Sequence, residues 1–442
     1  MHLEPSAVFH RVLGGTLPRA LRARGVWIED SEGKRYLDAS GGALVANVGH
    51  GREEIARAVK EAILSLSYVH GTMFTNDPVE KLAASLSRHA PAGIECFYFL
   101  TSGSEAVEAA IKMARQIHLE EGRPGREVLI SRWNSYHGLS LGALAATGRS
   151  FFRTPFGPLM KDAVHIPPPY CLRCSFGLVH PECGLRCARF LEETIQRVGP
   201  SVVSAFVAET VSGASLACCP PPPGYWKCIR EICDRYEVLL IMDEVMCGMG
   251  RTGKWFASEH YGVSPDLVTL GKGIAGGVQP LSAVGLRAEF RDLMARGSGS
   301  FVHGGTYTHH PVACSAGLAV VRIIEEEGLV ERCAEMGKVL EGMLREALEG
   351  SAHVGDIRGI GLMWGVELVA EKESMRPYPR KEKVAEKIWQ YLFAKGIITY
   401  RSVGFAGLDG DAIILGPPFI IQEDELQLAV EAIGEAIEKI LG

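Results

Sequence analysis

Short apolar runs separated by amphipathic stretches make up most of the chain. The runs have the length of buried strands, and the stretches between them repeat apolar residues at the spacing of helices. This alternation is typical of an α/β protein with an open parallel sheet, whose strands are apolar on both faces. The predicted strands are residues 96–100, 127–131, 204–208, 238–242 and 267–270, and the predicted helices include residues 53–67, 80–88, 225–236 and a stretch that ends near residue 119.

The two ends of the chain combine helices with shorter strands. Residues 8–24 are predicted to be helical, and residues 25–37 alternate around Ser31-Glu32-Gly33 as a β-hairpin does. The start of the chain therefore predicts a minor lobe. Near the other end, the predicted helices are residues 312–327, 329–348, 383–395 and 423–440, and the predicted strands lie within residues 356–368, 397–400 and 412–415.

Composition narrows the class of protein. The chain has 442 residues, of which 47% are hydrophobic and 22% charged, enough for two or three domains with a large core. No apolar run approaches the length of about 20 residues that spans a bilayer, and the first residues lack the order of a signal peptide, so we expect a cytoplasmic protein without a membrane partner. The net charge of −6 argues against nucleic acid as a partner.

Two strand ends carry the candidate chemistry. Asp243 follows the run at 238–242, and Lys272, between two glycines, follows the run at 267–270. Ligands of open α/β sheets bind beyond the carboxyl ends of the strands, so both side chains face one crevice. A lysine and a carboxylate together suit pyridoxal phosphate: the amine condenses with the aldehyde, and the carboxylate keeps the pyridine nitrogen protonated. The alternative is a capping aspartate and a solvated lysine.

A second feature points to a phosphate. Ser102-Gly103-Ser104 follows the strand at 96–100 and begins a helix, where free amides and the positive end of the helix dipole attract anions. An ordinary helix cap, in which Ser102 or Ser104 acts with Glu105, explains the same residues. Tyr136, after the strand at 127–131, is placed to lie on a cofactor ring with His137 behind it, although such residues are more often merely packed.

The twelve cysteines are mostly single and lie in apolar segments, but four of them are clustered. Two close pairs in a polar loop are consistent with a structural zinc site, with disulfides or with free thiols. None of these three interpretations is catalytic. The clustered residues are Cys171, Cys174, Cys183 and Cys187.

The segments together resemble a known family. FLTSGSEAVEAAIKMAR, NSYHG, DEVMCGMGRTGKW, LGKGIAGG and HGGTYTHHPVACSAG, in this order, look like class III pyridoxal-phosphate aminotransferases of fold type I, the omega-transaminase group. The resemblance implies a large domain with a mainly parallel seven-stranded sheet and a small α+β domain built from both chain ends. The implied boundaries are residues 1–70 and 326–442 for the small domain and residues 71–325 for the large one.

The resemblance also implies roles for individual residues. Lys272 would hold the cofactor and later move the substrate proton, and Asp243 would pair with the pyridine nitrogen. The remaining cofactor contacts would come from Ser102, Gly103, Ser104, Tyr136, Val245, the nearby Glu209, and Thr306 of a neighbouring subunit. The implied assembly is a homodimer with shared active sites, and a tetramer is left open.

Substrate choice depends on a few positions. Arg401 matches the family's mobile arginine, which binds a substrate carboxylate bidentately; its alternative is a surface arginine. Members that use glutamate carry an acidic residue at the position of Ala214, which holds this arginine, and tend to carry glutamine at that of Met246. Ala214 and Met246 at these two positions favour the branch that uses pyruvate.

The pocket wall leaves the amino donor open. Leu44 replaces a tryptophan of several pyruvate-using members, which widens the pocket, and Tyr68 and Phe74 are expected at the entrance. We therefore expect a ping-pong transaminase that moves an amino group from a primary amine or omega-amino acid to pyruvate and forms L-alanine. The alternatives are a decarboxylase, racemase or aminomutase on the same fold, and a glutamate/2-oxoglutarate aminotransferase.

Overall fold

A computed structural model describes residues 7–13 and 17–442. The strands are, in chain order, β1 Ala20–Arg24, β2 Trp27–Asp30, β3 Arg35–Asp38, β4 Ile94–Leu100, β5 Val128–Arg132, β6 Val164–Ile166, β7 Val203–Glu209, β8 Leu239–Asp243, β9 Leu267–Leu270, β10 Ser282–Arg287, β11 Val354–Gly359, β12 Trp364–Leu368, β13 Ile397–Ile398, β14 Tyr400–Ala406 and β15 Asp409–Leu415. The α-helices are α1 Gly41–Leu44, α2 Glu53–Ser65, α3 Asp77–His89, α4 Gly103–Glu120, α5 Leu141–Ala146, α6 Ser150–Arg153, α7 Arg186–Val198, α8 Tyr225–Tyr236, α9 Ala288–Arg296, α10 Pro311–Glu326, α11 Leu329–Leu348, α12 Val384–Ala394 and α13 Glu423–Leu441.

The central sheet has seven strands in the order β4-β10-β9-β8-β7-β5-β6. The pairs from β9 to β6 are parallel, and β10 runs antiparallel to both of its neighbours. The predicted mixed α/β architecture with a mainly parallel seven-stranded sheet is therefore confirmed. Parallel neighbours end at the same edge of the sheet, so the carboxyl ends of β7, β8 and β9 lie side by side there.

Alternation along the strands explains the layers around this sheet. In β7, Ala205 and Val207 pack in a core with α4, whereas Phe206 and Ala208 pack in a second core with α7 and α8. Side chains of a strand alternate between its two faces, and here both faces meet helices. β7 is therefore buried on both faces along its whole length and holds its last residue, Glu209, at the sheet edge.

Two smaller sheets complete the fold. One has the order β1-β2-β3-β13, so strands from the start of the chain pair with a strand near its end, and β13 is parallel to β3. The other, β11-β12-β15-β14, is antiparallel and packs with residues of α11, α12 and α13 in one apolar core. The domain boundaries at residues 70 and 325 stay predictions.

The helix predicted at residues 8–24 is wrong for the residues that are described. Residues 7–13 are irregular, and residues 20–24 form β1, paired antiparallel with β2; residues 14–16 lie outside the described part of the chain. The glycine pair at 14–15 and Pro18 oppose a continuous helix here. Within residues 7–13 and 17–442, none of the helices combines the length and the apolar character that crossing a membrane requires.

Candidate active site

Asp243 and Lys272 meet at the carboxyl edge of the central sheet. Asp243 is the last residue of β8, and Lys272 follows the end of neighbouring β9 by two positions. Lys272 has a φ of 46°, a left-handed conformation that is costly for a residue other than glycine. The glycines beside it permit close packing, because a Cβ on Gly271 would lie 3.1 Å from Val245 Cγ1, and one on Gly273 would lie 2.8 Å from Asn47 Nδ2.

The carboxylate of Asp243 is buried and oriented by three contacts. Its Oδ1 accepts hydrogen bonds from the Val245 amide and the Thr269 hydroxyl, both at 3.0 Å. Its Oδ2 lies 2.6 Å from Nδ1 of buried His137, a hydrogen bond in which the ring nitrogen donates to the carboxylate. Such an arrangement holds a negative charge in one place, which suits a partner that carries a proton on a ring nitrogen.

Burial changes the acid–base properties of Lys272. Desolvation lowers the pKa of its amine from 10.5 to about 8, and the nearby carboxylates of Asp243 and Glu209 oppose part of this shift. A pKa near neutrality leaves part of the amine unprotonated at physiological pH. An unprotonated lysine can act as a nucleophile and as a base.

The start of α4 contains the helix cap that the sequence allowed, and the anion site at the same residues stays a prediction. Ser102 caps the helix, since its Oγ accepts from the Glu105 amide at 3.3 Å and the Glu105 carboxylate accepts from the Ser102 amide at 3.1 Å. Beyond this cap, Gly103 and Ser104 line a cavity, and amides at the first helical positions have no acceptor within the helix. Ser102 therefore caps the helix, and backbone amides of the first helical turn remain available to an anion.

Val245 and Tyr136 also line this cavity. A Cβ on Gly103 would lie 2.8 Å from Val245 Cγ1, so the glycine leaves room for the valine against the helix start. The ring of Tyr136 meets Phe152 edge-on, with 5.6 Å between ring centroids. That Val245 and Tyr136 lie on either side of a flat ligand ring stays a prediction.

Glu209 is buried at the end of β7. Its carboxylate accepts from the Ser215 hydroxyl at 2.8 Å and from the Gly213 amide at 3.1 Å. Burial raises the pKa of Glu209, while the nearby His137 and Arg132 oppose the shift. Glu209 is thus a fixed acidic group in the wall of the cavity.

The cavity has a volume of about 210 Å³ and brings most of the predicted cofactor residues together. A larger open cavity of about 680 Å³ lies along α4, where residues such as Lys112 and Phe301 line it. None of the predicted cofactor residues lines this larger cavity. The predicted cofactor residues that line the smaller cavity are Ser102, Gly103, Ser104, Tyr136, Glu209, Asp243, Val245 and Lys272.

Some predicted residues lie outside this cavity. Thr306 is exposed in a turn, and Tyr68 and Phe74 are exposed on the surface of the chain. Leu44 is buried, and an apolar cluster that includes it packs against Ala214 and Met246 of the cavity wall. Arg401 has its guanidinium 4.8 Å from the ring centroid of Trp389 in α12. Their roles in cofactor and substrate binding stay predictions.

Several contributors were missed from the sequence. His137 was considered only as a residue behind a ring, whereas it contacts Asp243 directly, and the contact of Thr269 was not foreseen. Thr269 lies in β9, three residues before Lys272. Because β9 is parallel to β8 and Thr269 pairs with Asp243, a register argument could have found it.

The four clustered cysteines are unpaired thiols in this structure. In the described part of the chain, no group of three or more histidine, cysteine, aspartate or glutamate side chains is arranged to hold a metal ion. Cys171 is exposed, whereas Cys187 packs against the apolar core of α7 and α8, and its burial raises the pKa of its thiol to about 12.

Known proteins share this fold and sequence over nearly the whole chain. The family described as aminotransferase class-III matches residues 15–437. The putrescine–pyruvate aminotransferase of Pseudomonas aeruginosa is 36% identical over 96% of this chain and 92% of that protein. The diaminobutyrate–2-oxoglutarate transaminase of Halomonas elongata is 34% identical over 94% of this chain and 89% of that protein.

A solved structure agrees with these relatives. A thermostable (S)-enantioselective omega-transaminase from Thermomicrobium roseum superposes with a TM-score of 0.92 at 37% identity, covering 100% of this chain and 97% of that one. The fold is that of a pyridoxal-phosphate enzyme of fold type I, and Lys272 with the cradle of Gly103 and Val245 fits that cofactor. The chain belongs to the class III aminotransferase family, whose members depend on pyridoxal phosphate and transfer amino groups between amines and keto acids.

Proposed function

We propose that this aminotransferase takes its amino group from a primary amine or omega-amino acid and passes it to pyruvate, forming L-alanine by a ping-pong mechanism. The observation that carries the proposal is the uncharged wall formed by Ala214 and Met246, which line the cavity beside Glu209. A five-carbon dicarboxylate acceptor needs a second cationic side chain for its second carboxylate. When an amine is bound instead, an acidic side chain has to hold that cation. Neither Ala214 nor Met246 has an acidic side chain to hold that cation, and the carboxylate of neighbouring Glu209 is already engaged by the Ser215 hydroxyl and the Gly213 amide.

Packing keeps this wall apolar. A Cβ on Gly213 would lie 2.2 Å from Met246 Sδ, so the methionine fills the space that a side chain at position 213 would take. An apolar wall favours the hydrocarbon part of an amine over a second carboxylate, because an unpaired charge there would lose its hydration. A small acceptor such as pyruvate avoids that cost.

We assign the proton transfer to Lys272. When bound, pyridoxal phosphate supplies a conjugated ring that accepts the electrons of the bond broken at the substrate carbon. Lys272 Nζ, with its pKa of about 8, takes the proton from that carbon and passes it to the cofactor. Asp243 stabilises a proton on the ring nitrogen, and its contacts with His137 and Thr269 hold it in position.

The proposed active form is a homodimer. Tyr68, Met73, Phe74 and Tyr307 form an exposed patch, in which Met73 is 75% and Phe74 64% exposed, and the rings of Tyr68 and Tyr307 meet edge-on at 6.4 Å. Apolar side chains gathered on a surface are typical of an interface. Thr306 precedes Tyr307, so a second chain docked on this patch would bring its own Thr306 towards the shared site.

Sedimentation tests the homodimer. We expect twice the mass of the chain for the wild type and the mass of one chain for Phe74→Glu, with transfer activity lost together with the dimer. Leu408→Glu is a matched control, because Leu408 is 82% exposed in the turn between β14 and β15, far along the chain from the patch. An active monomeric wild type would contradict the dimer.

The acceptor and donor are tested by mixing the holoenzyme with single amines in the absence of a keto acid. We expect an arylalkylamine, β-alanine and L-alanine to remove the visible absorbance of the bound cofactor, and L-glutamate to leave it unchanged. Addition of pyruvate should then restore the absorbance and yield one L-alanine per site. Bleaching by L-glutamate alone would assign the enzyme to 2-oxoglutarate instead.

A further inference from the structure

The wall of the cavity at Ala214 belongs to a turn with an unfavourable backbone conformation. The turn consists of residues 212–219, and its two ends pair with each other through backbone hydrogen bonds. Between these ends, Ala217 and Cys218 have φ values of 51° and 56°. Two successive left-handed residues, neither of them glycine, are costly, so contacts from outside have to stabilise this 212–219 turn.

The 212–219 turn is also joined to the acidic group of the cavity. The Ser215 hydroxyl donates to the two carboxylate oxygens of Glu209, at 2.8 and 3.1 Å, and the Gly213 amide donates to one of them at 3.1 Å. Ala214 and Glu209 both line the cavity. A movement of the turn would therefore change the cavity wall and the orientation of its buried carboxylate together.

Arg358 of β11 holds the turn from the neighbouring antiparallel sheet. Its Nη2 and Nε both donate to the Leu216 carbonyl, at 2.8 and 3.2 Å. Its Nη1 donates to Glu367 of β12 at 2.7 Å and to Asp356 of β11 at 2.8 Å. Two carboxylates thus fix the guanidinium, which binds the carbonyl directly before the left-handed pair.

The same sheet contacts the turn at two further points. A Cβ on Gly365 of β12 would lie 2.2 Å from the Ala217 carbonyl oxygen, so glycine allows this strand to pack against the turn. The hydroxyl of Ser402, in β14, donates to the Ala214 carbonyl. Of these three contacts, the one from Arg358 is charge-assisted and made by two N–H groups, which makes it the strongest.

We propose that Arg358 is a positioning residue of the active site: it keeps the 212–219 turn in its left-handed conformation and thereby sets the wall that the amino donor meets. Only the identity of that donor rests on the proposed function. Arg358 is not among the residues that line the cavity, so it acts through Ala214 and Glu209, which are. Without Arg358, the turn relaxes towards an ordinary backbone conformation and the wall at Ala214 shifts.

Alkylation of buried thiols in the native holoenzyme tests the turn directly. Cys218 in the turn and Cys314 in α10 are both fully buried, so each reacts with iodoacetamide only when its surroundings open. We expect Arg358→Met to raise the alkylation rate of Cys218 by about tenfold or more, because charge-assisted hydrogen bonds are lost, and to leave that of Cys314 nearly unchanged. Peptide mass spectrometry measures both rates in one sample.

Arg230→Met is the matched control. Arg230 lies in α8 and also pairs with a buried carboxylate, since its Nη1 donates to Asp266 at 2.8 Å. Its loss should lower the melting temperature without a selective change at Cys218. A milder variant, Arg358→Lys, keeps the charge and loses the paired bond to Leu216, so it should fold and still show faster alkylation of Cys218 than the wild type.

Turnover separates positioning from general destabilisation. With pyruvate as acceptor, we expect both Arg358 variants to raise the KM of an arylalkylamine, whose ring meets the wall, by about tenfold, with a smaller effect on kcat. The KM of L-alanine, which has only a methyl group to place there, should change by less than about twofold. Arg230→Met should leave both KM values unchanged.

The outcomes separate the possible errors. Equal acceleration at Cys218 and Cys314 in the Arg358 variants would indicate general destabilisation and overturn the proposal. An unchanged alkylation rate at Cys218, or equal changes of KM for both donors, would overturn it as well. If the wild type accepts 2-oxoglutarate and not pyruvate, the proposed acceptor fails, and the alkylation rates still decide the role of Arg358.

Discussion

Replacing Lys272 by methionine should make the cofactor-free protein more stable as well as inactive. Burial lowers the pKa of this lysine from 10.5 to about 8. One pKa unit corresponds to about 1.4 kcal/mol, so at pH 7 the folded state loses about 3 kcal/mol relative to a lysine with an ordinary pKa. Methionine has a similar length and no charge, and it removes this penalty.

The sign of the pH dependence follows from the depressed pKa. Below about pH 8 the lysine is protonated in both states and the full penalty applies; it disappears as the pH rises from about 8 to about 10.5, where the unfolded lysine also loses its proton. The advantage of Lys272→Met should therefore fall from about 3 kcal/mol at pH 7 to about 2 at pH 9 and about 1 at pH 10.

Urea unfolding of the two cofactor-free proteins, at equal concentration and at pH 7, 9 and 10, measures this difference. Methionine also adds apolar contacts, but their contribution does not change with pH, so the slope is the diagnostic quantity. A difference in unfolding free energy that stays constant from pH 7 to pH 10 would refute the depressed pKa. Transfer activity retained in Lys272→Met or Lys272→Ala would refute the assignment of the base.

Asp243→Asn should lower transfer by about a hundredfold or more, because the fixed negative charge beside the ring nitrogen is lost; steady-state rates at saturating cofactor measure it. Gly337→Ala, in α11, places a methyl 2.3 Å from the Gly361 carbonyl oxygen and should cost about 1–3 kcal/mol. Gly342→Ala, in α11 with nothing within 4 Å, should instead add about 0.5–1 kcal/mol, and thermal unfolding compares the two. Glu367→Gln removes the buried carboxylate 2.7 Å from the guanidinium of Arg358, which keeps Asp356 at 2.8 Å, and should lower the free energy of unfolding by about 1–3 kcal/mol; a melting temperature that does not fall would exclude a buried ion pair there.

The meeting of Asp243 and Lys272 could be predicted because it depends on strand ends alone. Each residue follows a short apolar run, and such runs form the parallel centre of a sheet whose carboxyl edge binds ligands. The glycines around Lys272 support the prediction. In the structure, a Cβ on Gly271 would contact Val245, and one on Gly273 would contact Asn47.

The strands that were missed lack that apolar signal. β10 reads Ser282–Arg287 with a glycine at 285, where a Cβ would lie 2.8 Å from Val268 Cγ1, so close packing between strands selects the residue that weakens the pattern. β14 carries Arg401, Ser402 and Gly404, and it is a strand because it pairs with β15. Tertiary pairing overrides local preference at such places.

The face on which a strand residue lies is harder to predict than the strand itself. Shifting the register of β14 by one residue would exchange the positions of Tyr400 and Arg401. A motif that contains both residues therefore cannot say which of them packs with Ala214 and Met246.

The pairing of β3 with β13 has a consequence for synthesis on the ribosome. Leu37 pairs with Ile397, and Lys34 Nζ reaches the Ala394 carbonyl across 360 residues of sequence. Translation adds about 5–20 residues per second, so the first hairpin waits about 20–70 s with an open edge. An unpaired edge invites association with other chains. Nascent chains arrested before residue 397 should consequently aggregate through this hairpin, because β13 closes its edge only after residues 397 and 398 have been made.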